Sequence, residues 1–178
     1  MRRIRYSVAM SLDGYIAGPA GEADWIAMDP GIDFSAFVAR FDTILLGRKS
    51  FELMAESGGD GPVFGMDTYV ASRTLRPEDC PAVTVLGENA EERIAKLRSG
   101  DGKDIWLFGG GLLFRSLLEA GLVDAVEVGI IPILLGSGIP LLPPIETRVP
   151  LELTGHRHYA STGTVFLEYS VGLSDDDG

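Results

Sequence analysis

Two glycine-bearing junctions hold the residues of this sequence with the plainest chemistry. One reads Ile44-Leu45-Leu46-Gly47-Arg48-Lys49-Ser50, the other Ile105-Trp106-Leu107-Phe108-Gly109-Gly110-Gly111. Each carries an apolar strand into a bend suited to small residues and then opens a helix. The first amides of a helix have no internal partners and lie at the positive end of its dipole, so such a junction is an anion site. In the first junction Ser50 adds a hydroxyl, and Arg48 and Lys49 add positive charge. In the second, Gly109, Gly110 and Gly111 leave bare backbone for close approach of a ligand. Each also has a purely structural reading: a tight turn with exposed basic residues, or close packing of helix on sheet. Two phosphate sites in one chain point to a ligand with two or three phosphates, and a nicotinamide or flavin dinucleotide fits best. The triplet is not the G-x-G-x-x-G fingerprint, which comes with a downstream acid.

Other reactive residues are sparser. Ser72-Arg73 follows a strand pattern, and an arginine fork beside a hydroxyl matches a phosphate; a plain surface arginine is the alternative. His156 and His158 share one strand face without a third ligand at suitable spacing, so no metal site is expected. Cys80, the single cysteine, cannot make an internal disulfide, and a reducing cytoplasm is its simplest setting.

The elements that must position these residues alternate between strand and helix, which favours an α/β sheet with covered faces. Strands are expected at 4–12, 43–46, 68–72, 82–86, 105–108 and 126–131, with 151–159 and 164–171 as a terminal hairpin through Ser161-Thr162-Gly163. Phe34, Phe37, Val38 and Phe41 recur at helical spacing, so Asp33 caps or begins a short helix. Helices are also expected at 49–55, from the capping box Asn89–Glu92 to Arg98, and at 112–118, closed by Gly121. That gives about eight strands and four helices in a twisted, mostly parallel sheet with helices on both faces. No repeat, linker or internal boundary interrupts residues 3–172, read as one domain; Asp175-Asp176-Asp177 marks 173–178 as an acidic, disordered tail.

Composition narrows the partners. The chain has 178 residues, 46% of them apolar and spread through periodic segments, enough for a core. No run approaches the ~18–20 apolar residues of a membrane span. A net charge of −11 argues against nucleic acid, which calls for a basic face. It does not forbid an anionic cofactor, because charges beyond about 8 Å are largely screened at physiological salt.

Taken in order, several motifs resemble the dihydrofolate reductase-like superfamily, and more closely the reductase domain of riboflavin biosynthesis enzymes in stand-alone form. They are Ser11-Leu12-Asp13-Gly14-Tyr15-Ile16-Ala17, Gly21-Glu22-Ala23-Asp24-Trp25, Leu46-Gly47-Arg48-Lys49-Ser50-Phe51-Glu52, Ser72-Arg73-Thr74 and Phe108-Gly109-Gly110-Gly111. Pro132-Ile133-Leu134-Leu135-Gly136-Ser137-Gly138-Ile139-Pro140-Leu141 favours the riboflavin branch.

The resemblance implies a three-layer dihydrofolate reductase-like fold and an NADPH-dependent reductase acting on a small heterocycle or a ribosylamino-pyrimidine. It assigns the cofactor's phosphates to Gly47 through Ser50 and to Phe108 through Leu113, that is, Phe108, Gly109, Gly110, Gly111, Leu112 and Leu113. It gives the 2′-phosphate to Ser72 and Arg73, and the nicotinamide to backbone beside Ala9 and Ile16. Trp25 becomes the substrate-side lid, with a loop anchor as the alternative. Asp33 becomes the substrate-binding and catalytic acid, with a helix cap as the alternative. Relatives commonly pair, so a homodimer is expected, and the apolar stretch 132–144 offers surface for one.

Departures limit what the resemblance carries. Gly129 and Phe114 replace polar groups of true dihydrofolate reductases, and Phe64-Gly65-Met66 holds no arginine for a folate tail. The H-x-E…P-C-x-x-C zinc deaminase signature of the bifunctional riboflavin enzymes is absent from the sequence. A dihydrofolate reductase-type pterin reductase and a non-catalytic dinucleotide- or pterin-binding module stay open as alternatives.

Overall fold

Along Asp104–Gly109, Ile105 and Leu107 join one hydrophobic core, while Trp106 and Phe108 pack with a second on the opposite face. Successive strand side chains point to opposite faces, so a strand apolar on both must be covered on both. The computed structural model describes residues 1–56 and 62–172 and shows this covering over the central strands, with the C-terminal edge strand left exposed. The tail expected at 173–178 lies outside the described residues.

In chain order the elements are β1 (Ile4–Ser11), β2 (Tyr15–Ala17), α1 (Phe34–Val38), β3 (Phe41–Gly47), α2 (Arg48–Glu56), β4 (Asp67–Ala71) and β5 (Thr84–Leu86). They continue with α3 (Ala90–Ser99), β6 (Asp104–Gly109), α4 (Gly111–Glu119), β7 (Ala125–Ile131), β8 (Ile139–Pro140), β9 (Leu151–Tyr159) and β10 (Thr164–Val171). Eight strands form one sheet in the order β5-β4-β3-β6-β1-β7-β10-β9. The first six run parallel, and β10 lies antiparallel to both β7 and β9. Ile94 of α3 and Phe114 and Leu117 of α4 pack on Ile4, Tyr6 and Leu107. Phe34 and Phe37 of α1 and Phe51 of α2 pack on Ile44, Leu46 and Trp106 on the other face. This is the three-layer architecture expected, with its terminal hairpin.

One local expectation is corrected, and one element is added. Asn89 stands at the start of α3, but its side chain makes no capping bond: its backbone, at φ −95° and ψ 35°, is outside the extended region from which a capping side chain reaches back. A second small sheet, β2 with β8, was not legible in the pattern. It depends on Gly138, where a Cβ would fall 2.2 Å from the Ala17 carbonyl oxygen.

Two carboxylates fasten loops beside the strand ends. Asp13 accepts from Ser11 Oγ at 2.6 Å and from the Leu135 and Gly136 amides at 3.1 and 2.7 Å. Asp29, only 2% exposed, accepts from the Gly31 amide at 2.8 Å and from the Thr162 amide and hydroxyl, both at 2.9 Å. The Ser11 hydroxyl and then the amides hold the Asp13 pKa down to about 2. The Gly31 amide, with Thr162, lowers that of Asp29. Depressed pKa values mean stability that is complete above the ordinary aspartate value of about 3.9 and lost as protons return. Acid titration of the fold should therefore show a loss beginning near pH 4 and running toward about 2, and Asp13→Asn should flatten that slope. An identical slope in the variant would remove Asp13 from the acid transition.

Candidate active site

The carboxyl ends of the parallel strands open into one cleft of about 1740 Å³, with Gly47, Ala71, Gly87, Gly109 and Ile131 along its edge. Single drug-sized ligands occupy ~300–1,000 Å³, so this cleft has room for two molecules side by side. Open α/β sheets bind ligands at such strand ends. The large apolar side chains left exposed at Met28, Phe64 and Leu112 also line it, as a ligand-binding mouth does.

The two glycine corners meet here. Strands β3 and β6 are neighbours with Leu46 paired to Gly109, so their helices start together. A Cβ placed on Gly47 would lie 3.5 Å from the Gly110 nitrogen and 3.6 Å from the Gly109 oxygen. Ser50 Oγ stands 3.6 Å from a Cβ placed on Gly110 and 4.0 Å from one on Gly109. Helix α4 begins after Gly110 with no side-chain cap. The result is a cradle of peptide groups with one hydroxyl on its rim.

The three glycines are not equivalent. Gly109 has φ +141°, which other residues rarely adopt, and Gly110 leaves room toward the cradle. At Gly111 a Cβ would press on the Pro140 oxygen at 2.8 Å, so that glycine also serves close packing of helix against the 140–143 segment. The structural reading applies there, although Gly111 lines the cleft with Phe108, Leu112 and Leu113.

Arg48, Lys49 and Arg73 are all exposed along this rim. Arg48 donates to Glu52 at 2.6 Å and to Thr74 Oγ1 at 2.5 Å. Among the described residues Arg73 has no ion pair or hydrogen bond through its side chain. The Ser72 hydroxyl accepts from the Thr74 and Leu75 amides at 3.2 and 3.0 Å, so it shapes the turn that presents Arg73. Ala9 and Ile16 also line the cleft.

Two of the expected site residues lie off the cleft lining, each in the arrangement of its structural alternative. Asp33 is exposed and does not line the cleft, although Ile32 and Phe34 on either side do. Its carboxylate accepts from the Ala36 amide at 2.8 Å as the N-cap of α1. A group turned onto its own helix faces away from a ligand. Asp33→Ala should accordingly lower stability by about 1 kcal/mol and leave cofactor affinity and turnover unchanged. A turnover loss on the order of a hundredfold at equal stability would restore the catalytic role. Trp25 is half-buried off the cleft wall, its indole donating to the Glu22 carbonyl at 3.2 Å; it anchors the loop whose neighbours Ile26 and Met28 do line the cleft.

The structure brings together side chains that the sequence pattern did not assemble into one site. Phe34, Phe37, Phe64, Trp106 and Phe108 build an aromatic wall, with Trp106 at its centre. Below it, fully buried Glu127 accepts from Ser7 Oγ at 2.6 Å, Arg40 at 2.5 Å and Arg5 at 2.9 Å. A buried carboxylate of this kind holds only with its charge partners in place. It ties α1, through Arg40, to the sheet beneath the cleft, and Ser7 reaches the cleft lining. No local motif marks this set, because its members are 87 to 122 residues apart from Glu127 in sequence.

The family model of the RibD C-terminal domain matches residues 2–165. The chain belongs to that family. Within reach of this membership, the uncharacterised Bacillus subtilis (strain 168) protein YyaP is 38% identical over 179 residues, covering 94% of each chain. YwjB of the same organism is 30% identical over 155 residues, covering 85% of this chain and 89% of its own. Among solved structures, a Shewanella sp. PV-4 protein provisionally named for riboflavin biosynthesis has TM-score 0.80 at 26% identity, over 97% of this chain and 100% of that one. Dihydrofolate reductase from Enterococcus faecalis, complexed with NADP(H), gives 0.66 at 20% identity over 96% and 97%. A Thermotoga maritima deaminase/5-amino-6-(5-phosphoribosylamino)uracil reductase gives 0.70 at 16% identity, over 96% of this chain and 57% of that one. The last two likenesses establish the fold. RibD C-terminal membership supports a reductase-type function.

Proposed function

We propose that this RibD C-terminal family member is an NADPH-dependent reductase of a small heterocycle or ribosylamino-pyrimidine, similar to 5-amino-6-(5-phosphoribosylamino)uracil reductases. The observation that carries the reading is the closeness of the two glycine corners, with Gly47 set against the Gly109–Gly110 backbone and Ser50 at the rim. Two adjacent helix starts fit a diphosphate, and the peptide groups between them carry no side chain to obstruct it. When bound, the nicotinamide supplies the hydride.

The residues of the chain position and exclude. The corners grip the diphosphate, Arg73 takes the 2′-phosphate, and backbone beside Ala9 and Ile16 aligns the nicotinamide ring. The aromatic wall at Trp106 faces the second half of the cleft and orients the substrate there. With Asp33 turned onto its helix, water entering the open cleft delivers the proton.

The cap at Asp33 favours one rival, a module that binds the dinucleotide without turnover. Calorimetry with NADPH comes first, followed by NADPH oxidation against a panel of pyrimidines, pterins and flavins. Uptake of NADPH together with oxidation on any panel member is the expected result. Uptake without oxidation supports the rival, and no uptake removes both.

A further inference from the structure

The cations that line the cleft are gathered on one side of it. Its only described lining cations are Arg48, Lys49 and Arg73, all at the glycine corners or just beyond the end of β4. Every other charged residue of the described lining is a carboxylate: Glu22, Glu56, Glu88 and Glu91. The remainder of the described lining is uncharged, mostly apolar with the hydroxyls of Ser7, Ser50, Ser72, Ser116 and Thr164, and it includes the aromatic cluster around Trp106.

Phe64 is the element that gives this cluster its character. Its ring lies 5.7 Å from that of Trp106 and 13° from parallel, and edge-on to Phe34 at 5.5 Å. It remains 49% exposed. Its φ of +51° lies in the left-handed region that a bulky residue rarely occupies. Such strain persists where surrounding structure enforces it, and it clusters at ligand clamps. A large, half-exposed ring kept in this conformation at a cleft mouth presents a flat face to a ligand.

We infer that the second ligand of the cleft is a flat heterocycle bearing no phosphate, stacked on the open face of Phe64, which buried Trp106 backs from behind. The inference rests on the NADPH reading, which commits Arg73 to the 2′-phosphate and leaves Arg48, held by Glu52 and Thr74, and Lys49 beside the diphosphate corner. A phosphate on the substrate would then find no further cation among the described lining residues, and a partly desolvated dianion without a partner is strongly disfavoured. A stacked neutral ring needs only apolar and π contact.

The test uses the full chain and begins with NADP+ by calorimetry; lack of uptake would sink the parent reading, and this inference with it. The NADP+-saturated protein is then titrated with ribose 5-phosphate, with pterin, and with uridine and riboflavin, the last two each paired with its 5′-phosphate. Ribose 5-phosphate should bind the cofactor-free protein weakly, be displaced by NADP+, and show no saturable binding to the loaded protein. In the matched pairs the phosphate-free member should bind about tenfold or more tightly than its phosphorylated partner. For the tightest probe, Phe64→Ala should lower affinity about tenfold while leaving that for NADP+ unchanged.

Saturable, salt-sensitive uptake of ribose 5-phosphate by the loaded protein would overturn the inference while leaving the NADPH reading intact. So would tighter binding of any phosphorylated member, an unaltered Phe64→Ala variant, or failure of every phosphate-free probe to bind.

Discussion

Gly47→Ala is expected to weaken NADPH binding on the order of a hundredfold while the cofactor-free protein melts as before. The new methyl meets the Gly110 nitrogen at 3.5 Å, the Gly109 oxygen at 3.6 Å and Leu113 Cβ at 3.9 Å, all ordinary contact distances. Nothing in the fold has to move to admit it. Yet those atoms bound the space between the two corners, and a phosphate oxygen needs to come within about 2.7–3.2 Å of an amide nitrogen to bond it. Charge-assisted bonds contribute about 1.5–3 kcal/mol each, so displacing one or two from the cradle accounts for the hundredfold. Gly111→Ala is the control. Its methyl would collide with the Pro140 carbonyl at 2.8 Å, so that change should lower the melting temperature first. Calorimetry and thermal melts on both variants check the pair; unchanged affinity in Gly47→Ala would move the diphosphate away from these corners.

That contrast also marks what the sequence could reveal. The strands around Ile44 and Ile105 are apolar runs ending in glycine, and such runs announce buried parallel strands whatever the partner. The hairpin 151–159/164–171 was legible to the residue, because both strands are long and Gly163, at φ +73°, closes the turn between them. Gly111 was not separable from Gly109 and Gly110, since the segment it packs on arrives 29 residues later at Pro140. Asp33 could be assigned to a helix start, but the direction of its carboxylate depends on how α1 is rolled against the sheet. That roll is fixed by Phe34 and Phe37 on Trp106 and by the Arg40–Glu127 pair. The substrate half of the cleft was illegible for the same reason. Phe34, Phe64 and Trp106 come from three separate elements and share no periodicity; only the sheet order brings them together.

Arg73→Ala is expected to weaken NADPH roughly ten- to hundredfold and to leave NADH nearly unchanged, which makes it the test of cofactor choice. Three cations face the rim, and their surroundings differ. Arg48 is engaged by Glu52 at 2.6 Å and by Thr74, so recruiting it to a phosphate means giving up bonds already made. Lys49 brings a point charge without the planar fork that reads phosphate geometry. Arg73 is exposed, has no partner among the described residues, and follows Ser72, whose hydroxyl is committed to the turn that holds it out. A guanidinium so placed contributes where a 2′-phosphate is present and nothing where it is absent. The difference between the cofactors should shrink at high salt, because an exposed contact of this kind is screened. Equal losses for NADPH and NADH would instead make Arg73 a support of the loop, and a selective loss in Arg48→Ala would transfer the 2′-phosphate to the start of α2.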